Sequence, residues 1–135
     1  METIRKINNE LTIAGQIDSA ELKRLADEGY KSVLNLRSPD EMGFQSSEQL
    51  YAQLLGLHYT NLPIKLTEIN SANTVQVFQK IVELPKPTVI HCDSSVRAIA
   101  MVLMYLATRQ GMSLEQAFKQ AENLGLLDDA IKVKL

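Results

Sequence analysis

The sequence predicts an α/β fold, a three-layer sandwich with a mostly parallel central sheet of four to five strands and a short N-terminal hairpin. Three observations predict it. Strand-length apolar runs at residues 32–37, 57–62 and 88–90 alternate with segments of helical periodicity, and strands separated by helices pair in parallel through right-handed connections. The run at 88–90 reads as a strand buried on both faces. A chain of 135 residues, 45% hydrophobic and 22% charged, is one globular domain spanning residues 1–135, with no room for a second core.

Residues 4–14, with polar Asn8 and Asn9 in the middle, read as two short strands around a turn, ended by Gly15. Asp18 and Glu21 have capping-box spacing, Leu22, Leu25 and Ala26 share one face, and Gly29 supplies a stop, so residues 19–28 are expected as helix. Residues 32–37 form the next strand. The loop 38–45, with Pro39 and Gly43, leads into a helix over 47–55 that stops at Gly56. A strand over 57–62 and a loop over 63–70 come after it. Asn70 or Ser71 then caps a helix to Glu83, and Pro85 and Pro87 frame the strand at 88–90. A helix over 98–107 comes next, and Ser113 with Gln116 repeats the capping-box spacing for the last long helix. A short helical turn is expected from Asp128.

Composition excludes several classes. A formal charge of −2 and scattered basic residues leave no footprint for nucleic acid. The N-terminus carries no apolar signal region, and the longest apolar run, about ten residues, is too short for a bilayer. One cysteine makes no internal disulfide, so a soluble protein of the reducing cytoplasm is expected, without a membrane partner. Two histidines and that cysteine have no recurring spacing, so neither a metal nor a cofactor is expected. His58, in a strand without partners, reads as structural.

The segment Pro87-Thr-Val-Ile-His-Cys-Asp-Ser-Ser-Val-Arg-Ala98 carries the chemistry. Residues 92–97 form the turn between a buried strand and a helix, and backbone N–H groups at a helix N-terminus converge on a phosphate or a thiolate above them. Cys92 is thereby placed as an activated nucleophile. Arg97 offers a fixed fork of donors to two oxygens of one tetrahedral anion. A lone cysteine at a strand end is usually a small apolar residue and nothing more. Its combination with His91, Ser94, Ser95, Arg97 and the succeeding helix makes residues 93–97 (Asp93, Ser94, Ser95, Val96 and Arg97) a candidate phosphate-binding loop. His91 precedes the nucleophile and is expected behind the anion, donating to a backbone carbonyl or holding the loop in shape.

His91-Cys92-Asp93-Ser94-Ser95-Val96-Arg97 resembles the signature of the protein tyrosine and dual-specificity phosphatases, in which His-Cys opens and Arg closes a phosphate-binding loop. Those enzymes usually carry five residues between Cys and Arg. The four found here are also the spacing of rhodanese-type sulfurtransferases. The chain looks most like a bacterial group with the shorter form His-Cys-x-x-Gly-x-Arg, known as DUF442 or the beta-lactamase hydrolase-like phosphatase domain. Ser32-Val-Leu-Asn-Leu-Arg-Ser-Pro-Asp-Glu41 resembles a segment in the first half of that domain. The helical segment from Gly111 to Gly125 is similar to the helix found after the signature helix in such phosphatases, where a rhodanese domain would return to strand. The resemblance covers residues 15–125 and implies a phosphotyrosine protein phosphatase-like fold.

It also implies a general acid, usually Asp from a loop after an earlier strand. The loop 63–70 holds only Glu68, which is therefore the candidate by position; Asp40 and Glu41, on the loop after the preceding strand, and Asp93 compete with it. For all four the bland reading is a solvated surface carboxylate. Ser95 stands where the resembling families have Gly, and Ala98 replaces the Ser or Thr that commonly succeeds the arginine. Asp93 sets a negative charge beside the anion, an effect it would reduce by pointing toward water. The expected function is a cysteine-dependent phosphatase hydrolysing phosphate monoesters, in phosphorylated proteins or small molecules, through a phosphocysteine. The alternatives are a phosphate-binding regulatory pseudophosphatase, and a rhodanese-like sulfurtransferase working through a persulfide. An exposed thiolate would also be open to reversible oxidation.

Overall fold

The computed structural model describes residues 4–123. The turn expected from Asp128 lies outside them. The chain runs β1 (Arg5–Lys6), β2 (Leu11–Ala14), α1 (Ser19–Asp27), β3 (Ser32–Asn35), α2 (Glu48–Leu54), β4 (His58–Asn61), a 3-10 turn (Leu66–Glu68), α3 (Ser71–Glu83), β5 (Thr88–His91), α4 (Val96–Arg109) and α5 (Leu114–Asn123). One five-stranded sheet has the order β1-β2-β5-β3-β4, and only β1 is antiparallel to its neighbour. The expected hairpin is β1 with β2; Asn8 sets its turn by accepting from the backbone N–H groups of Glu10 and Leu11 at 2.8 and 2.9 Å.

β5 lies at the centre, parallel to β2 on one side and β3 on the other, so Ala14, Asn35 and His91 stand level at the carboxyl edge. Side chains alternate across the sheet with a period of two. Leu34 and Ile90 enter a core with α3, α4 and α5, whereas Val33 and Val89 enter a smaller one with Ile17, Leu22, Leu25 and Ala52 from α1, α2 and the approach to α1. Both faces of β5 are thus covered, which is why its sequence reads as a continuous buried run. Truncating a fully buried core residue such as Ile90 or Met101 to Ala costs about 2–5 kcal/mol.

The caps agree with the sequence. Asp18 and Glu21 form a reciprocal box on α1, Asn70 and Asn73 do the same on α3, and Ser113 with Gln116 caps α5. Several boundaries shift by one or two residues, and two of the shifts bear on the site. β3 ends at Asn35 because that side chain accepts from the Arg37 N–H at 2.9 Å, an Asx-type turn that takes the chain off the sheet. α4 begins at Val96 rather than Ala98, because Ser95 takes the left-handed conformation at φ 75° and lets the helix start one residue later. Arg97 therefore sits in the first turn of α4. Among the described residues no helix is long and apolar enough to cross a membrane.

Candidate active site

β5 delivers His91 and Cys92 to the carboxyl edge, where ligands of parallel sheets gather. The turn after it is anchored by backbone bonds to the end of β2 and the segment that leaves it: the Cys92 N–H donates to Ala14 O at 3.2 Å, and the Gln16 N–H donates to Asp93 O at 3.1 Å. Ser95 closes the turn with a positive φ that the resembling families meet with glycine; for serine this conformation costs roughly 1–2 kcal/mol. Cys92 is fully buried, as are Ala98 and Met101, which share its cluster. The chain around β5 and the start of α4 encloses the sulfur.

Arg97 is 5% exposed and donates at both terminal nitrogens. Nη1 reaches Ile64 O at 2.8 Å and Glu41 Oε2 at 2.7 Å; Nη2 reaches Glu41 Oε1 at 2.8 Å and Asp93 Oδ1 at 3.0 Å. Two parallel bonds to Glu41 are the strong bidentate form of this pair. Glu41 also accepts from Arg37 Nε at 3.1 Å and from the Ser38 N–H at 2.7 Å. The hydrogen bond from Arg97 holds its carboxyl well down, to about 2, against the opposing effect of burial. The same contact raises the pKa of Arg97 further. Glu41 is thus held ionised as the bidentate partner of Arg97 and is mostly shielded from solvent.

Asp93 keeps 54% of its side chain exposed and also bonds within the loop. Its Oδ1 accepts from the Ser94 N–H at 2.7 Å and from Arg97 Nη2 at 3.0 Å. Burial raises its pKa, but the bonds from Arg97 and Ser94 outweigh that and leave it lowered. A carboxylate of the loop thereby occupies two of the donors expected from the sequence to hold an anion.

These groups border an open basin of about 560 Å3 lined by Arg37, Asp40, Glu41, Met42, Lys65, Asp93, Ser94, Val96 and Arg97. Asp40 stands on its rim, 3.2 Å from Lys65 Nζ, and hydrogen bonds from Ser38 and Lys65 lower its carboxyl pKa. Glu68, the candidate by position, is exposed and does not line the basin; the 3-10 turn places it at the approach to α3, where its carbonyl accepts from Asn73 Nδ2 at 2.6 Å. Lys65 and the Ile64 carbonyl are the groups that the loop after β4 supplies instead. His91 is fully buried behind the loop, with Nδ1 3.3 Å from Cys92 O and Nε2 2.5 Å from Glu48 Oε2. Gln16, Arg37, Glu48 and Lys65 were not marked by sequence reasoning. For Arg37 and Glu41 the i, i+4 spacing was a usable signal; for Gln16 and Glu48 there was none.

The family described as DSP-PTPase phosphatase fused to NAD+ kinase matches residues 3–132. A beta-lactamase hydrolase-like protein of Xylella fastidiosa is 35% identical over 100 residues, which are 70% of this chain and 23% of that protein. The chain thus spans about a quarter of the length of such relatives. Among solved structures, a DUF442 protein from Shewanella putrefaciens superposes with a TM-score of 0.77 at 16% identity, over 98% of this chain and 82% of that one. Pseudomonas aeruginosa TpbA, in complex with phosphotyrosine, gives 0.69 at 15% identity, over 96% and 77%.

Proposed function

We propose, for a chain that belongs to this family of DSP-PTPase phosphatases, a cysteine-dependent hydrolysis of phosphate monoesters at the Cys92–Arg97 loop. One observation carries the reading. The Ser94 amide and the buried Arg97 guanidinium converge on a single carboxylate, that of Asp93, so the loop already presents an anion-binding pair of donors next to the only cysteine.

In this reading the substrate phosphate displaces the Asp93 carboxylate and takes its donors, while Glu41 keeps the far edge of Arg97 fixed. The Cys92 sulfur attacks phosphorus; a P–S bond forms as the P–O bond to the leaving group breaks, and the departing oxygen takes a proton from Asp40. Water then attacks the phosphocysteine, gives its proton to Asp40, and frees inorganic phosphate and the thiolate. Asp40 replaces Glu68 as acid because it lines the basin. Its lowered pKa makes it a poor donor near neutrality, so aryl phosphates, whose leaving groups need least protonation, are expected to react best. Among the described residues no aromatic side chain lines the basin, so none of them offers a stacking wall for a phenyl ring. Phosphotyrosine, phosphoserine or phosphothreonine in proteins and small phosphorylated molecules are the substrate classes.

Hydrolysis of para-nitrophenyl phosphate from pH 5 to 8 under reducing conditions, in wild type, Cys92→Ser and Arg97→Ala, tests this. Activity lost in both variants supports it. A phosphate-binding module without turnover is the second reading, favoured by the burial of Cys92 and by Asp93 seated on the anion donors. It takes the lead if the wild type is inactive while phosphate still protects Cys92 from alkylation. Sulfur transfer is disfavoured by the family and by the presence of α5 after the signature helix.

A further inference from the structure

Gln16 and Glu48 lie outside the basin, yet together they join the two ends of the loop. From the His91 end, Nε2 meets Glu48 Oε2 at 2.5 Å; Glu48 Oε1 accepts from Gln16 Nε2 at 2.7 Å; and Gln16 Oε1 accepts from Arg37 Nη1 at 2.7 Å. Arg37 Nε then donates to Glu41 Oε1 at 3.1 Å, and Glu41 grips Arg97. We propose that Gln16 and Glu48 are positioning residues of the phosphate site, which set the orientation of Arg97 through this chain of hydrogen bonds. The proposal rests on the reading that phosphate binds at the Cys92–Arg97 loop.

Three features carry it beyond a structural tie. Glu48 is 4% exposed and, among the described residues, forms no ion pair with a lysine or arginine; its partners are His91, Gln16 and the Tyr59 hydroxyl. A carboxylate buried in that way is costly unless every contact is satisfied, and replacing it with an apolar side chain is the cheaper way to fill the space. Second, the Gln16 amide has one orientation only. Its NH2 faces an acceptor and its oxygen faces a guanidinium, so rotating it by 180° would lose both bonds, which makes the link directional. Third, the Gln16 backbone N–H also holds Asp93 O, so the residue touches the loop and the arginine chain at once. The other groups packed on Glu48 fit the same picture. The Tyr59 hydroxyl accepts from Asn35 Nδ2 at 2.9 Å, and its pKa is raised by burial and, to a lesser degree, by the Glu48 charge.

Gln16→Met keeps the side-chain length, removes both polar ends, and affects a residue only partly buried, so it is the variant that keeps the fold. Glu48→Gln is the companion. Two measurements are made on the full chain: the concentration of inorganic phosphate that protects Cys92 from iodoacetamide, and the 15N chemical shift of the Arg97 Nε–H group, assigned with Arg97→Lys. Losing one link of a buried network is expected to weaken phosphate protection about five- to tenfold in Gln16→Met and to move the Arg97 resonance without phosphate present. Gln16→Glu, which repels Glu48, is expected to weaken it at least as much. Unchanged protection together with an unmoved Arg97 resonance in Gln16→Met overturns the proposal while leaving the phosphate site intact. Absence of protection in the wild type defeats the proposed function instead, and the positioning role with it.

Discussion

The loops after β3 and after β4 leave neighbouring parallel strands at the same edge of the sheet, yet they contribute unequally. The first supplies Arg37, Asp40, Glu41 and Met42 to the basin; the second supplies Lys65 and one carbonyl of Ile64 to Arg97. The cause is local. After β3 the Asx turn at Asn35 and the donors of Arg37 fold residues 36–43 back over the loop, with Arg37 Nη1 on Gly43 O at 3.1 Å and Nη2 on Met42 O at 2.6 Å. After β4 the chain tightens into a 3-10 turn that runs into the Asn70 cap of α3 and carries Glu68 away. Topological position selects which loops surround a site, but side-chain bonding within each loop decides which carboxylates reach it.

Substituting the two candidate acids gives the largest contrast. Asp40→Asn is expected to lower kcat on an alkyl phosphate by about a hundredfold, within the range of general acid catalysis, and on para-nitrophenyl phosphate by much less. Glu68→Gln should leave both within about twofold, as expected of an exposed side chain away from the reacting atoms. The reverse result, a loss with Glu68→Gln alone, would mean that the loop after β4 rearranges to take over the role. Because the Asp40 pKa is lowered, alkyl-phosphate turnover should rise toward acid pH and fall off toward neutrality as the carboxyl loses its proton.

Glu41 tests how far the first loop stabilises the protein. Its folded pKa, about 2, lies below its ordinary 4.5, so its contribution is complete above pH 4.5 and disappears as the pH falls through 2. A difference of that size corresponds to roughly 3 kcal/mol as an upper bound, which solvent screening reduces for a carboxylate on the edge of an open basin. Denaturation of wild type and Glu41→Gln should therefore differ clearly at pH 7, and the gap should narrow between pH 4.5 and 2. Equal stability at pH 7 would show that Asp93 and the Ile64 carbonyl hold Arg97 without it.

The smallest effect is expected at the anion donors themselves. Asp93→Asn keeps the shape of the side chain and removes the charge that competes with phosphate. Phosphate should then protect Cys92 at several-fold lower concentration, in line with one exposed charge pair. Weaker protection would mean that Asp93 shapes the loop rather than competing for it.

The sequence alone determined most of the elements and the candidate loop. Periodicity and capping boxes are contained within short runs of neighbouring residues, so the helices after Asp18, Asn70 and Ser113 and the strand at 88–90, which the structure extends to His91, could be read directly. The loop was legible for the same reason, since His91 to Arg97 is one short run from the end of a strand through a turn into a helix. Tertiary structure decided what that turn meets. Glu41 lies 56 residues from Arg97, Glu48 lies 43 from His91 and 32 from Gln16, and no spacing rule spans such intervals. It also decided that Cys92 is enclosed, because that depends on how the sheet and its helices close around β5, whereas the bonds of Asp93 to Ser94 and Arg97 are local, one and four residues away. Local chemistry names the groups; packing settles their partners, and a buried charge takes the partner that costs the least to desolvate with it.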